Sequence, residues 1–396
     1  MVKEKMVELL NFFEPVELNQ FEDTSFINDS SSIGNNLIIN SPTKPITENT
    51  RIELAFFTVN QYLQSENPRK VNSPQIIREE FYRLKKTSSG LHIADFGNLR
   101  LGKNINETIF ALQEVSALFL HQNIKVIIIG GSQLLTSGSF NALKEFENNI
   151  NLVHIDSRID LSVTNESVKE CHYLNRLIEN EAAYLYNITC VGYQSYFVDA
   201  KQLKILDENY FEHYRLGTLR TNFSNIEPVF RDADIVSFDI SSVRVSEAPA
   251  QFDGSPNGLY ADEACRLARY AGISDRLRIF GIYNIECQYD NNRQTAKLVA
   301  QATWYFLDGY KHRNHNYKNN LKENCIKYEV QIDEIDFPIV FLKNNHSNQW
   351  WINVKGIKTD DKAPESVFVS CTEADYSMAC LNEIPERWWI NFKKMK

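Results

Sequence analysis

Asn151-Leu152-Val153-His154-Ile155-Asp156-Ser157-Arg158-Ile159-Asp160 is an apolar, strand-like run that ends in two carboxylates with an arginine between them. Ile127-Ile128-Ile129-Gly130-Gly131-Ser132-Gln133 and Ile235-Val236-Ser237-Phe238-Asp239-Ile240-Ser241-Ser242 have the same form. Each reads as a buried strand handing over to polar residues. Carboxylates at such strand ends suit a metal site, but arginine has only donors and keeps its proton, so it cannot coordinate a cation.

Working outward, short β-branched or aromatic runs at 52–59, 91–96, 126–129, 152–155, 189–192, 235–238 and 277–282 alternate with stretches of helical spacing, such as 74–84, 106–121, 258–271 and 292–309. This alternation predicts an α/β fold of three layers, αβα, with a mostly parallel central sheet. In such sheets ligands gather beyond the carboxyl ends of the strands, where all three polar stretches fall. Residues 1–50 are polar and turn-rich and read as an N-terminal arm lying on the main α/β domain, which spans 51–310. Residues 311–396 read as a small C-terminal extension packed on that domain, with strands, a helix near Glu373 and two tryptophan pairs, Trp350-Trp351 and Trp388-Trp389.

Of 396 residues, 43% are hydrophobic, enough for a large core. With 51 acidic against 42 basic residues, the formal charge of −9 disfavours nucleic acid or an anionic membrane as partner. The seven cysteines include no C-x-x-C pair and read as reduced thiols. The start offers neither an apolar h-region nor a small-residue cleavage site, and no run of 18 apolar residues occurs. The expectation is a cytoplasmic protein without membrane insertion.

An Asp-x-His-x-Asp run after one strand, a Gly-Gly-Asp-His after the preceding one and an Asp-x-Asp after a later one form a six-ligand site for two manganese ions in the ureohydrolases arginase, agmatinase and formimidoylglutamase. In motif order and spacing this chain resembles that superfamily from about residue 51 to residue 309. Ser255-Pro256-Asn257-Gly258-Leu259-Tyr260 with Glu263 resembles the family's Gly-Leu loop opening a helix, and Asp290 with Arg293, Thr295 and Ala296 its late Asp-x-x-x-x-Thr-Ala segment. The tail is similar to an extension in a bacterial branch labelled formimidoylglutamase. The resemblance implies an arginase-like fold and, where the ligands are intact, hydrolysis of linear amidine C–N bonds with manganese.

Position by position, the resemblance puts Asp156, Asp160 and Asp239 on metal carboxylates. It puts Gln133 and Arg158 where the two histidines belong, and Ser241 where the fourth aspartate belongs. Ser132 replaces the acidic residue of Gly-Gly-Asp-His, and Asn284 stands where a substrate-contacting glutamate is found. Glu286, two residues on and on the same strand face, supplies that carboxylate if the register slips. Ser132, Asn257, Asn284 and Glu286 are thus candidate ligand-crevice residues.

A unit positive charge about 4 Å from a dication is repelled by roughly 8 kcal/mol at an effective dielectric of about 20. The expectation is therefore no metal cofactor, with the Arg158 guanidinium forked onto Asp156, Asp160 or Asp239 as a buried ion-pair cluster. His154 reads as a hydrogen-bonded core histidine facing away from the crevice, and His172 as an ordinary helix-start residue. The favoured function is a degenerate, inactive ureohydrolase-fold protein that binds a small ligand or a protein partner. Two alternatives stand: an active hydrolase with a rebuilt site, using manganese, and a structural subunit of a larger oligomer.

Overall fold

A computed structural model describes residues 6, 8–61, 72–87, 90–163, 172–313, 324–356 and 366–395. The sequence runs predicted as strands are strands: β3 (Leu54–Thr58), β4 (Ile93–Leu99), β5 (Lys125–Ile129), β6 (Ile150–Ile155), β7 (Leu185–Tyr193), β9 (Ile235–Asp239) and β10 (Ile279–Tyr283). The polar β8 (Glu212–Arg215) joins at one edge. At the other edge, β1 (Phe13–Glu14) and β2 (Ile38–Ile39) of the N-terminal arm both pair with β4, which the sequence reading did not foresee. The spatial order is β1-β4-β3-β5-β10-β9-β6-β7-β8, and β3 to β10 run parallel.

Both faces of the sheet are covered, which is why its strands are almost continuously apolar. Alternate residues of one strand enter two separate cores: Ile127 and Ile129 of β5 pack on one side, Val126 and Ile128 on the other. Helices Ser73–Arg83, Ala261–Ile273 and Gln294–Lys311 contribute to the first core, and Ile105–His121, Thr136–Leu143 and Tyr173–Asn180 to the second. No helix among the described residues is long and apolar enough to cross a membrane.

A second, antiparallel sheet follows, β11 (Cys325–Val330), β12 (Ile339–Asn344), β13 (Trp350–Lys355) and β14 (Ser366–Cys371), with helices Glu373–Cys380 and Glu386–Lys394. Its own core holds Phe341, Ile352, Trp350 and Trp388. Trp351 is also buried, whereas Trp389 is 42% exposed. Arg231 fastens this layer to the body: its guanidinium donates to the carbonyls of Trp350 and Cys371, at 3.2 and 2.9 Å, and lies over the Trp351 ring.

Candidate functional site

Four adjacent strands, β5, β10, β9 and β6, end at one crevice of about 590 Å³. After β5 the chain turns through Gly130 and Gly131, at φ +89° and +77°. At Gly131 a Cβ would come within 2.5 Å of the Leu135 side chain, so tight strand-to-loop geometry requires glycine there. Ser132 then caps the following turn, its Oγ accepting from the Leu134 N–H at 3.3 Å. Asn284, left-handed at φ +60°, ties the end of β10 to this loop through its N–H to the Gly131 carbonyl at 2.7 Å.

Ser132, Gln133, Asp156, Arg158, Asp160, Asp239, Ser241, Asn284 and Glu286 all line this crevice. Asn257 does not. Its side chain donates to Gln194 at 3.3 Å, and its loop is stitched to the segment after β9 by Leu259 N–H to the Ser242 carbonyl at 2.7 Å. Leu134, Ile159, Gln251, Phe252, Asp253, Phe197, Gln202 and His172 complete the lining. Of these, His172 was read only as an ordinary helix-start residue, and the rest left no signal beyond the polar-aromatic run Gln251-Phe252-Asp253 just before the Ser255 loop.

The carboxylates differ in how they are held. Asp156 Oδ1 accepts from the Arg158 N–H at 3.0 Å and from the hydroxyls of Ser157 and Ser241 at 3.3 Å each. Asp239 accepts from the Ser241 N–H at 2.7 Å and from Asn284 Nδ2 at 2.5 Å. Asp160 accepts no side-chain or backbone hydrogen bond on its carboxylate among the described residues.

Arg158 corrects the expected ion-pair cluster. Its guanidinium turns away from all three carboxylates, donating to Asp253 at 3.0 Å and stacking 4.1 Å above the Phe197 ring. With 38% of the side chain exposed, it keeps much of its hydration, which a buried fork would sacrifice. Burial raises Asp156 to about 6 and Asp239 to about 7, with Asp160 also raised, and the Arg158 charge offsets only part of this at Asp156 and Asp160. For Asp239 and Asp160, the Asp156 charge adds to the effect.

His154 is buried and hydrogen-bonded as expected, but it does not face away. Residues two apart share a strand face, so His154 and Asp156 lie on one side, and Nε2 sits 3.8 Å from Asp156 Oδ2. Its Nδ1 meets Tyr173 Oη at 2.8 Å and Gln133 Nε2 at 3.2 Å. Burial lowers its pKa to about 4, so the ring is neutral. Gln133 also donates to Ser237 Oγ at 3.1 Å, while its Oε1 is buried without a partner.

A raised carboxylate pKa means that the fold favours the protonated form. That stability is fully present below the ordinary value of 3.8 and is lost as pH rises through the folded values, toward about 7. Asp160→Asn removes a buried carboxylate whose charge Arg158 only partly offsets. In chelator-treated protein above pH about 7 it is expected to stabilise the chain by about 1–3 kcal/mol, with the gain shrinking toward pH about 4. Thermal unfolding across this range checks it; a variant less stable than the natural chain at neutral pH contradicts it.

The profile of the arginase family matches residues 55–308. The formimidoylglutamase of Staphylococcus haemolyticus is 23% identical over 273 residues, covering 66% of this chain and 87% of that protein. Among solved structures, the Bacillus subtilis formimidoylglutamase superposes with a TM-score of 0.58 at 15% identity, over 67% of this chain and 89% of that one. Trypanosoma cruzi formiminoglutamase with two Mn²⁺ gives 0.58 at 15%, over 66% and 95%. Proclavaminate amidino hydrolase of Streptomyces clavuligerus gives 0.56 at 19%, over 67% and 94%.

A manganese pair of that kind does not fit the donors present here. Gln133 commits its amide nitrogen to His154 and Ser237, Arg158 offers no lone pair and faces outward, and Ser241 brings a hydroxyl in place of a carboxylate. Matched along most of its main sheet and sharing the three-layer fold of these enzymes, the chain belongs to the arginase family.

Proposed function

We propose that this chain has left the paired-metal hydrolysis of C–N bonds and acts by binding, its crevice taking a small polar ligand. The observation that carries this reading is the pair of side chains at 133 and 158: one is an amide bound into the core, the other a guanidinium held at the rim by Asp253. The crevice keeps the features of a ligand pocket, with carboxylates on its floor and Phe197 and Phe252 on its walls.

The test is direct. Purified protein incubated with manganese and formimidoylglutamate, or with guanidino compounds, is expected to release neither formamide nor urea above the level of heat-denatured protein. Manganese-dependent release would instead support the second reading, a hydrolase with a rebuilt site. One observation favours that alternative: the Arg158 guanidinium pairs with Asp253 and not with any of the three carboxylates.

A further inference from the structure

We propose that the cavity between the C-terminal layer and the edge of the main sheet is a second binding site, for a small zwitterion of amino-acid type whose ammonium meets Glu212 and whose carboxylate meets Arg387. The cavity has about 70 Å³, room for roughly five waters or a molecule of about as many non-hydrogen atoms. It lies at the starts of β6, β7 and β8, whereas the crevice lies past the ends of the strands. The body supplies Tyr186, Thr189 and Glu212 to its wall, and the added layer supplies Ser370, Arg387 and Asn391.

Four charged side chains line the cavity, and two of them are already matched. Asp232 accepts from the N–H and the hydroxyl of Ser370, at 2.8 and 2.7 Å, and Arg276 donates to Asp234 at 2.9 Å. Glu212 and Arg387 are 8% and 9% exposed, yet no hydrogen bond or ion pair joins them among the described residues. Glu212 accepts from Thr189 Oγ1 at 3.4 Å, and the nearby Lys394 ammonium is directed to Asn187 Oδ1 at 2.7 Å. Arg387 gives one N–H each to the carbonyls of Ser370 and Asn225, at 3.1 and 3.2 Å, with the Tyr214 hydroxyl beside it. A guanidinium carries five N–H groups, so donors remain for an anion.

A carboxylate and a guanidinium that face one cavity without touching are two charges stripped of water and short of hydrogen bonds. Water can bridge them but brings no charge, whereas a zwitterion brings the complementary charge to each end at once. The lining sums to neutral, two acids against two bases, which favours a ligand without net charge over a simple anion or cation. The small volume limits that ligand to about the size of glycine or alanine. Because the ligand touches both layers, its binding strengthens the docking of the extension on the body.

Calorimetry and thermal unfolding of the full-length natural chain with glycine and alanine, set against methylammonium, acetate and phenylalanine, test this. Glycine or alanine is expected to bind at one equivalent and to raise the melting temperature, with the two single-charge probes at least about 10-fold weaker and phenylalanine not bound. Glu212→Gln, which keeps the shape of the side chain, is expected to weaken glycine binding by more than about 10-fold. In the natural chain, bound glycine should show nuclear Overhauser contacts from its Cα protons to the Tyr186 ring, a readout that needs no variant to fold. No binding of glycine or alanine at concentrations on the order of tens of millimolar overturns the site. Binding that survives Glu212→Gln, or that lacks the Tyr186 contact, overturns it equally. Acetate or methylammonium bound as tightly as glycine overturns the zwitterion.

Discussion

The triple variant Gln133→His, Arg158→His, Ser241→Asp is expected to bind two manganese ions per chain, where the natural sequence is expected to bind no such pair. Ser241 Oγ already lies 3.3 Å from Asp156 Oδ1, so a carboxylate at 241 enters the cluster without moving the backbone. The backbone at 158 is anchored by its N–H on Asp156, and an imidazole there is too short to follow the guanidinium out to Asp253. A histidine at 133 starts from a buried position at the crevice lining. The three changes act as one unit, because each ligand is useful only when the others hold the ions, so single revertants are expected to gain little. Metal analysis after gel filtration checks this. A triple variant that folds yet retains no manganese would show that the surrounding loops, not these three side chains, prevent the pair. Hydrolysis is the stricter readout, since Asn284 would still stand beside Asp239.

Arg78→Ala is expected to cost about 3–5 kcal/mol of folding stability, the penalty of leaving one member of a buried ion pair alone. Arg78 and Asp95 are 2% and 0% exposed. Arg78 Nε donates to Asp95 Oδ2 at 2.8 Å and Nη2 to Oδ1 at 3.1 Å, and Nη1 reaches Asn98 at 2.7 Å. Tyr82 and the Gly97 N–H complete the bonds to Asp95, at 2.7 and 2.8 Å. The pair fastens helix Ser73–Arg83 to β4, the strand on which both arm strands are built. Denaturant unfolding reads the loss, and the double variant Arg78→Met, Asp95→Asn should recover part of it, since no lone charge remains. A loss below about 1 kcal/mol for Arg78→Ala contradicts this account of the pair.

The main strands were legible because they are buried on both faces: Ile127-Ile128-Ile129 and Ile235-Val236 can hardly be anything else when flanked by helical spacing. β8 escaped because Glu212-His213-Tyr214-Arg215 is a polar edge strand, and β1 and β2 because two residues carry no periodicity. Helix Glu386–Lys394 has a weaker signal in the sequence than its neighbour Glu373–Cys380, because adjacent Trp388 and Trp389 break the spacing of a single helical face, one being buried and the other exposed.

At the site, the residues that replace the family's ligands could be placed from motif order alone. What they do could not. Whether Arg158 folds inward or outward depends on Phe197 and Asp253, which come from loops distant in sequence and give the guanidinium a stacked, half-hydrated resting place. The same limit applies to Arg78 and Asp95, whose pairing across two elements leaves no local pattern. His154 was expected to point away from the crevice, whereas it shares the strand face of Asp156, two residues on. His154 itself is fully buried beneath the crevice and is not among its lining residues.

The central claim is that the donor set at 133, 158 and 241 cannot hold a metal pair, and the most direct measurement is manganese stoichiometry with electron paramagnetic resonance on the natural chain expressed in manganese-rich medium. The account predicts no more than one divalent ion per chain and no exchange-coupled manganese spectrum. Two manganese ions per chain with a coupled signal would contradict it.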